Sequence, residues 1–163
     1  MKKTAIVYYS THHGNTKKLV EAIAQGREDV TLIDAATKIE VDLSGYEKIG
    51  LASGIYGGHF ADKLLTFARI NLPDSKDVFL LFTSCLSGNN YGGDVRELLD
   101  KRNARVLGVW HTRGYCTFGP LKLIGGVNKN RPNETDLQEL LTFYDGLGAK
   151  GPAVPRGRAS FQK

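Results

Sequence analysis

The sequence predicts an α/β fold, a doubly wound five-stranded parallel sheet with helices on both faces. Three observations predict it. Short apolar runs alternate with helical patterns along the chain. One run, Val78 to Phe82, is apolar at every position, the mark of a strand buried on both sides. The loops that follow the first, third and fourth runs are all rich in glycine, hydroxyl and amide residues, and such sheets bind ligands at those strand ends.

The elements follow in order. Ile6 to Tyr9 is a strand. Asn15 to Gln25 is a helix with Leu19, Val20 and Ile23 on one face. Val30 to Ile33 and Lys48 to Ala52 are the second and third strands. A helix runs from about Phe60 to Ile70, with Phe60, Leu64, Phe67 and Ala68 at helical spacing. Val78 to Phe82 is the fourth strand, Val95, Leu98 and Leu99 mark a third helix, and Val106 to Trp110 is the fifth strand. The last helix follows Pro132, with Asn133 as its N-cap and Leu137, Leu140, Leu141 and Tyr144 in one stripe. Thr112 to Arg131, with five glycines and prolines, reads as a long irregular loop of the kind that often carries function.

At 163 residues and 41% hydrophobic composition, the chain reads as one globular domain over residues 1–147 followed by a basic Gly/Pro-containing tail over residues 148–163. The net charge is +5, but Lys150, Arg156, Arg158 and Lys163 place four of those charges in the tail. The body is nearly neutral, which points away from nucleic acid. Cys85 and Cys116 lie far apart with no metal-ligand spacing, so they are expected as reduced thiols in a cytoplasmic protein, Cys85 as a small, partly buried loop residue. No run approaches the roughly 20 apolar residues of a membrane span, so no integral membrane segment is expected. The N-terminal apolar run is too short for a signal peptide, and Asn133-Glu134-Thr135 reads as a chance glycosylation match.

The first loop, Ser10-Thr11-His12-His13-Gly14-Asn15-Thr16, offers backbone N–H groups where a helix begins, and the helix dipole there favours an anion. Its hydroxyls and the Asn15 amide are neutral donors, and no lysine or arginine lies within it. That suits a phosphate monoester; an ordinary capped turn is the competing reading. The second loop, Ser53-Gly54-Ile55-Tyr56-Gly57-Gly58-His59, carries an aromatic beside glycines. The third, Thr83 to Gly93, includes Ser84, Cys85, Leu86, Ser87, Gly88, Tyr91 and Gly92. A phosphate socket beside two tyrosine-bearing loops describes a site for a flat heterocycle on a phosphorylated chain, such as FMN.

Val7-Tyr8-Tyr9-Ser10-Thr11-His12-His13-Gly14-Asn15-Thr16 resembles the signature of the flavodoxins: an apolar strand, an aromatic, a hydroxyl residue, then two residues before Gly-x-Thr. In element order the resemblance covers about Lys3 to Leu147 and implies a short-chain, flavodoxin-like FMN-binding protein. It implies that Ser10, Thr11, Gly14, Asn15 and Thr16 hold the flavin phosphate, with His12 and His13 giving mainly backbone N–H groups. Ser53, Gly54, Ile55, Tyr56 and Gly57 would lie against one face of the ring. Ser84, Cys85, Leu86, Ser87, Gly88, Tyr91 and Gly92 would line its other side and the pyrimidine edge. Gly114 to Pro120 and Asn130 to Glu134 also resemble a branch of flavodoxin-family proteins seen in bacteria. Three features depart from the family: His13 precedes the glycine where threonine is common, Val20 replaces a helix alanine, and the chain is basic where electron-carrying flavodoxins are acidic.

The function the resemblance implies is single-electron transfer between redox protein partners, a reductase donor and an acceptor enzyme, rather than turnover of a substrate. Carriers of this kind turn a backbone carbonyl toward the flavin N5–H, and Gly57 or Gly58 is the expected pivot. The alternative is an oxidoreductase of the same fold, a quinone reductase or a protein like the menaquinone-dependent protoporphyrinogen oxidases. The latter's basic membrane-associating loop is not found here.

Overall fold

The structure, a computed structural model, describes residues 3–86 and 91–148. The elements run β1 (Thr4–Tyr9), α1 (Asn15–Ala24), β2 (Val30–Asp34), β3 (Lys48–Tyr56), β4 (His59–Phe60), α2 (Asp62–Asn71), β5 (Asp77–Ser84), α3 (Gly93–Lys101), β6 (Arg105–Arg113), a 3₁₀ helix (Gly119–Ile124) and α4 (Glu134–Gly146). The main strands lie in the order β2-β1-β3-β5-β6 and pair in parallel. The strand order reverses beside β1, so the loops after β1 and β3 open at the same crevice.

The alternation of strand side chains builds two cores. Ile6, Ala52, Phe79 and Leu81 meet Leu19, Val20 and Ile23 of α1 and Leu140 and Tyr144 of α4. Val7, Leu51, Leu80 and Phe82 meet Leu64 and Phe67 of α2 and Val95 and Leu98 of α3 on the other face. The apolar run Val78 to Phe82 within β5 is covered on both sides, as its composition predicts, and every residue from Val78 to Ser84 is buried. Each fully buried Leu, Ile or Phe contributes about 1.5–3 kcal/mol. Gly50 is required by packing: a β-carbon there would stand 2.5 Å from the Phe79 ring.

The sheet has a sixth, two-residue strand that the sequence pattern does not predict. His59 and Phe60 turn back antiparallel on Tyr56 and Ile55, so α2 starts at Asp62 rather than near Phe60. Phe60 keeps its helical spacing and is 1% exposed, but it enters the core from β4. Thr112 to Arg131 is also more ordered than a loop. β6 runs on to Arg113, the 3₁₀ helix follows, and Cys116 and Val127 form an antiparallel bridge.

The expectation of two separate thiols is overturned: Cys85 and Cys116 form a disulfide, with their Cα atoms 5.4 Å apart. The physical reason is topological. β5 and β6 are neighbours with Ser84 opposite Arg113, and each cysteine follows just beyond, so 31 residues of sequence separation close to one side-chain contact.

The predicted N-cap of α4 is present as a reciprocal capping box: Asn133 Oδ1 accepts from the Asp136 N–H, and Asp136 Oδ2 accepts from the Asn133 N–H. Asp136 is 4% exposed and also accepts from Arg131 (2.6 Å) and Thr112 Oγ1 (2.9 Å), tying the end of β6 to the start of α4. Burial alone would raise the Asp136 carboxyl, but its bonds from Asn133, Arg131 and Thr112 outweigh that and hold it below the ordinary range. Its contribution to stability is therefore present above about pH 4 and is lost as pH falls through the lowered native value. Asp136→Asn is expected to cost about 2–3 kcal/mol at neutral pH, because half-exposed Arg131 loses its acceptor, and to flatten stability in acid. Urea unfolding at pH 7 and over a series down to about pH 2 checks both; a deficit that shows no decline anywhere in that acid series contradicts the assignment.

The tail expected from Gly148 falls almost wholly outside the described residues, as do Ser87 and Gly88 of the third loop. Among the described residues, no helix is long and apolar enough to cross a membrane.

Candidate functional site

The ends of β1, β3 and β5 open onto one cavity of about 330 Å³, within the range of small-molecule sites. The first loop contributes Ser10, His12, Asn15 and Thr16 to its wall. The second contributes Gly54 to Gly58, and the third Thr83, Ser84, Cys85, Leu86 and Tyr91. A fourth side comes from Tyr115, Cys116 and Phe118, beyond β6. Among the described residues lining the cavity, none is a carboxylate, a lysine or an arginine.

The first loop turns tightly because His13 and Gly14 both adopt left-handed backbone, with φ of 56° and 67°. Gly14 is the residue before α1, and as a glycine it offers the helix no capping side chain of its own. The first turn carries no acidic residue. Ser10 Oγ accepts from the Lys17 N–H at 3.2 Å, and the Asn15 N–H reaches the His12 carbonyl at 3.4 Å. The remaining N–H groups of the turn have no acceptor within the helix, which makes this end electropositive.

The predicted phosphate residues divide into two groups. Asn15 serves as a tie, donating from Nδ2 to the Tyr115 carbonyl (2.8 Å) and accepting the Tyr115 N–H (3.2 Å). Gly114 permits this approach, since a β-carbon there would stand 2.5 Å from Asn15 Nδ2. Thr16 is 1% exposed, and its hydroxyl pairs with that of Thr83 at 3.1 Å. Thr11 lies at the surface, its Oγ1 3.2 Å from the Tyr56 hydroxyl and 3.3 Å from His12 Nδ1. His13 turns outward, hydrogen-bonds Thr117 Oγ1 at 2.9 Å and packs its ring 4.0 Å from that of Tyr115.

In the second loop, Ser53 is fully buried; its hydroxyl accepts the Ala61 N–H and donates to the Gly54 carbonyl, so it holds the hairpin rather than facing the cavity. Gly57 and Gly58 form the two-residue hairpin corner with φ of 59° and 88°, as a type I′ turn requires. Tyr56 lies between the loops, edge-on to Tyr9 at 6.3 Å and tilted against His12 at 5.5 Å. Tyr91 packs edge-on to Phe82 at 6.1 Å, and Gly92 is buried before α3. His59 is exposed beside Asp94, with 3.4 Å between Nδ1 and Oδ2.

Sequence reasoning did not assign Gly58, Thr83, Tyr115, Cys116 or Phe118 to the site residues, although Gly58 and Thr83 lay inside loops it singled out. The Gly-rich stretch beginning at Gly114 was the signal for the other three. What it lacked was the β5–β6 pairing that brings this stretch over the third loop.

A family model described as a flavodoxin domain matches residues 6–111. An uncharacterized protein of Methanocaldococcus jannaschii is 33% identical over 149 residues, covering 89% of this chain and 97% of that protein. Flavodoxin 1 of Salmonella typhimurium is 23% identical over 67% of this chain and 68% of its own length. Among solved structures, the rubredoxin oxygen:oxidoreductase of the anaerobe Desulfovibrio gigas matches with a TM-score of 0.67 at 15% identity. That match covers 90% of this chain, but this chain spans only 35% of that protein, and the likeness is one of fold.

Proposed function

The chain belongs to the flavodoxin family, and on that premise we propose that it binds FMN and passes single electrons between redox proteins. The observation that carries the proposal is the α1 terminus, which has glycine at its N-cap and no acid in its first turn and lies at the wall of a neutral, tyrosine-bearing cavity. The donor set fits the cofactor. A phosphate needs N–H donors and hydroxyls, and the turn from Thr11 to Thr16 offers both. A flat ring needs aromatic and narrow walls, and Tyr56, Gly57, Leu86 and Tyr91, which line the cavity, would form them.

FMN, when bound, supplies redox chemistry; the protein's part is position and exclusion of water. Ser10, Thr11 and the backbone of His12 to Thr16 would hold the phosphate, and the Asn15 tie would keep that turn against the segment after β6. Tyr56 and Tyr91 would cover the ring, and the Gly57-Gly58 corner would present backbone carbonyl and N–H groups to its edge. In this reading residues 1–147 are the FMN domain, and the partners are a reductase donor and an acceptor enzyme.

The test is addition of FMN to the purified flavin-free chain. Quenching of flavin fluorescence with one FMN taken up per chain is expected, and no uptake removes the proposal. Turnover of NADH or NADPH with a quinone by the isolated loaded protein would place it instead among oxidoreductases of this fold.

The corner supplies a further prediction. A β-carbon on Gly57 would meet nothing within 4 Å, so any penalty there is conformational. An L-residue in left-handed backbone costs about 1–2 kcal/mol, and valine lies at the high end. Gly57→Val is therefore expected to lower the stability of the folded chain by about 1–2 kcal/mol. Gly57→Asn should do so much less, since asparagine tolerates this backbone. Urea unfolding of the two variants checks this, and equal stabilities would show that the corner does not require a left-handed residue.

A further inference from the structure

We propose that the Cys85–Cys116 disulfide is a second redox centre, which exchanges an electron pair with flavin bound in the cavity. This rests on the FMN reading above. Both cysteines line the cavity, on the side formed by the third loop and the segment after β6. A ring filling about 330 Å³ touches its walls, and both bridged residues belong to one wall. The two residues differ in exposure: Cys116 is 4% exposed and Cys85 is half-buried beside the exposed Leu86. On this proposal Cys85 is the half of the bridge nearer an outside thiol.

The bridge can open without its surroundings coming apart. The Gly114 N–H donates to the Ser84 carbonyl at 3.0 Å, and Asn128 Nδ2 donates to the Cys85 carbonyl at 2.9 Å. Cys116 and Val127 exchange backbone hydrogen bonds at 3.0 and 2.8 Å. These bonds are independent of the S–S bond and keep both cysteines in place after it breaks.

The exchange balances as a two-electron, two-proton reaction. Reduced flavin gives up two electrons and two protons; the S–S bond breaks, Cys85 and Cys116 become thiols, and the flavin returns to its oxidised form. In reverse, a dithiol reductant opens the bridge by exchange and the resulting thiols reduce the flavin. The protein thus joins a thiol pool to a single-electron carrier.

The test uses the full chain, with and without FMN, illuminated anaerobically with EDTA so that bound flavin is the only reductant. Samples are trapped with N-ethylmaleimide and thiols are counted from the intact mass. Both cysteines are expected to become alkylated as the flavin bleaches, only in the loaded chain, and the bridge to re-form on reoxidation. Complete bleaching should take about four electrons per chain instead of two, falling to about two in the Cys85→Ser/Cys116→Ser variant. Flavin that bleaches while the bridge stays intact overturns this inference and leaves FMN binding standing. Free cysteines in the air-purified protein, or thiols forming equally without FMN, overturn it as well. Failure of the oxidised chain to take up FMN at all overturns the flavin reading and this inference with it.

Discussion

Ser10→Asp is expected to stabilise the flavin-free protein slightly while cutting its affinity for FMN at least 100-fold. Ser10 Oγ already accepts the Lys17 N–H in the first turn of α1, and a carboxylate does this better at the positive end of a helix. The gain is about 0.3–1 kcal/mol, or about 1–3 °C in Tm for a chain of this length. The same carboxylate would stand in the wall where the phosphate is proposed to sit. Like charges about 5 Å apart repel by roughly 3 kcal/mol at an effective dielectric of about 20, and phosphate carries more than one charge. That is about a hundredfold or more in Kd. The opposite signs make the result diagnostic, because a merely damaged fold would lower both quantities. Calorimetry of the flavin-free variant and fluorescence titration with FMN are the two measurements. Unchanged FMN affinity would show that the anion does not bind at this helix terminus.

Tyr56→Ala is expected to weaken FMN binding about 30- to 100-fold and to leave the fold intact. The ring lines the cavity between the first and second loops, and it is only partly buried without ligand. Stacking contributes about 1–1.5 kcal/mol beyond burial for a ring covered this fully, and covering one aromatic face adds a similar amount from area, giving about 2–3 kcal/mol. Tyr56→Phe separates the ring from its hydroxyl: it loses only the 3.2 Å contact with Thr11, so affinity should fall about threefold or less. Riboflavin supplies the control. It keeps the ring and lacks the phosphate, so Tyr56→Ala should weaken riboflavin and FMN by similar factors, whereas Ser10→Asp should weaken FMN alone. If Tyr56→Ala binds both flavins as the parent does, the second loop is not a wall of the ring site.

Local pattern alone determined most of the framework. The five parallel strands, α1 with Leu19, Val20 and Ile23 inward, and α4 behind its Asn133 cap all follow from periodicity and capping, which act over a few residues. The three loops gathered at one crevice were legible for the same reason, because a parallel sheet brings the carboxyl ends of its strands to one edge. Tertiary structure alone decided the rest. Only strand pairing could reveal the turn-back at β4, because Phe60 also fits the spacing of the helix that follows and His59 reads as loop. Asn15 proved to be a tie to Tyr115, which depends on a contact 100 residues away along the chain. The disulfide was misjudged for the same reason. Whether two cysteines meet depends on which strands are neighbours, and separation along the chain does not encode the β5–β6 pairing that places Cys85 against Cys116.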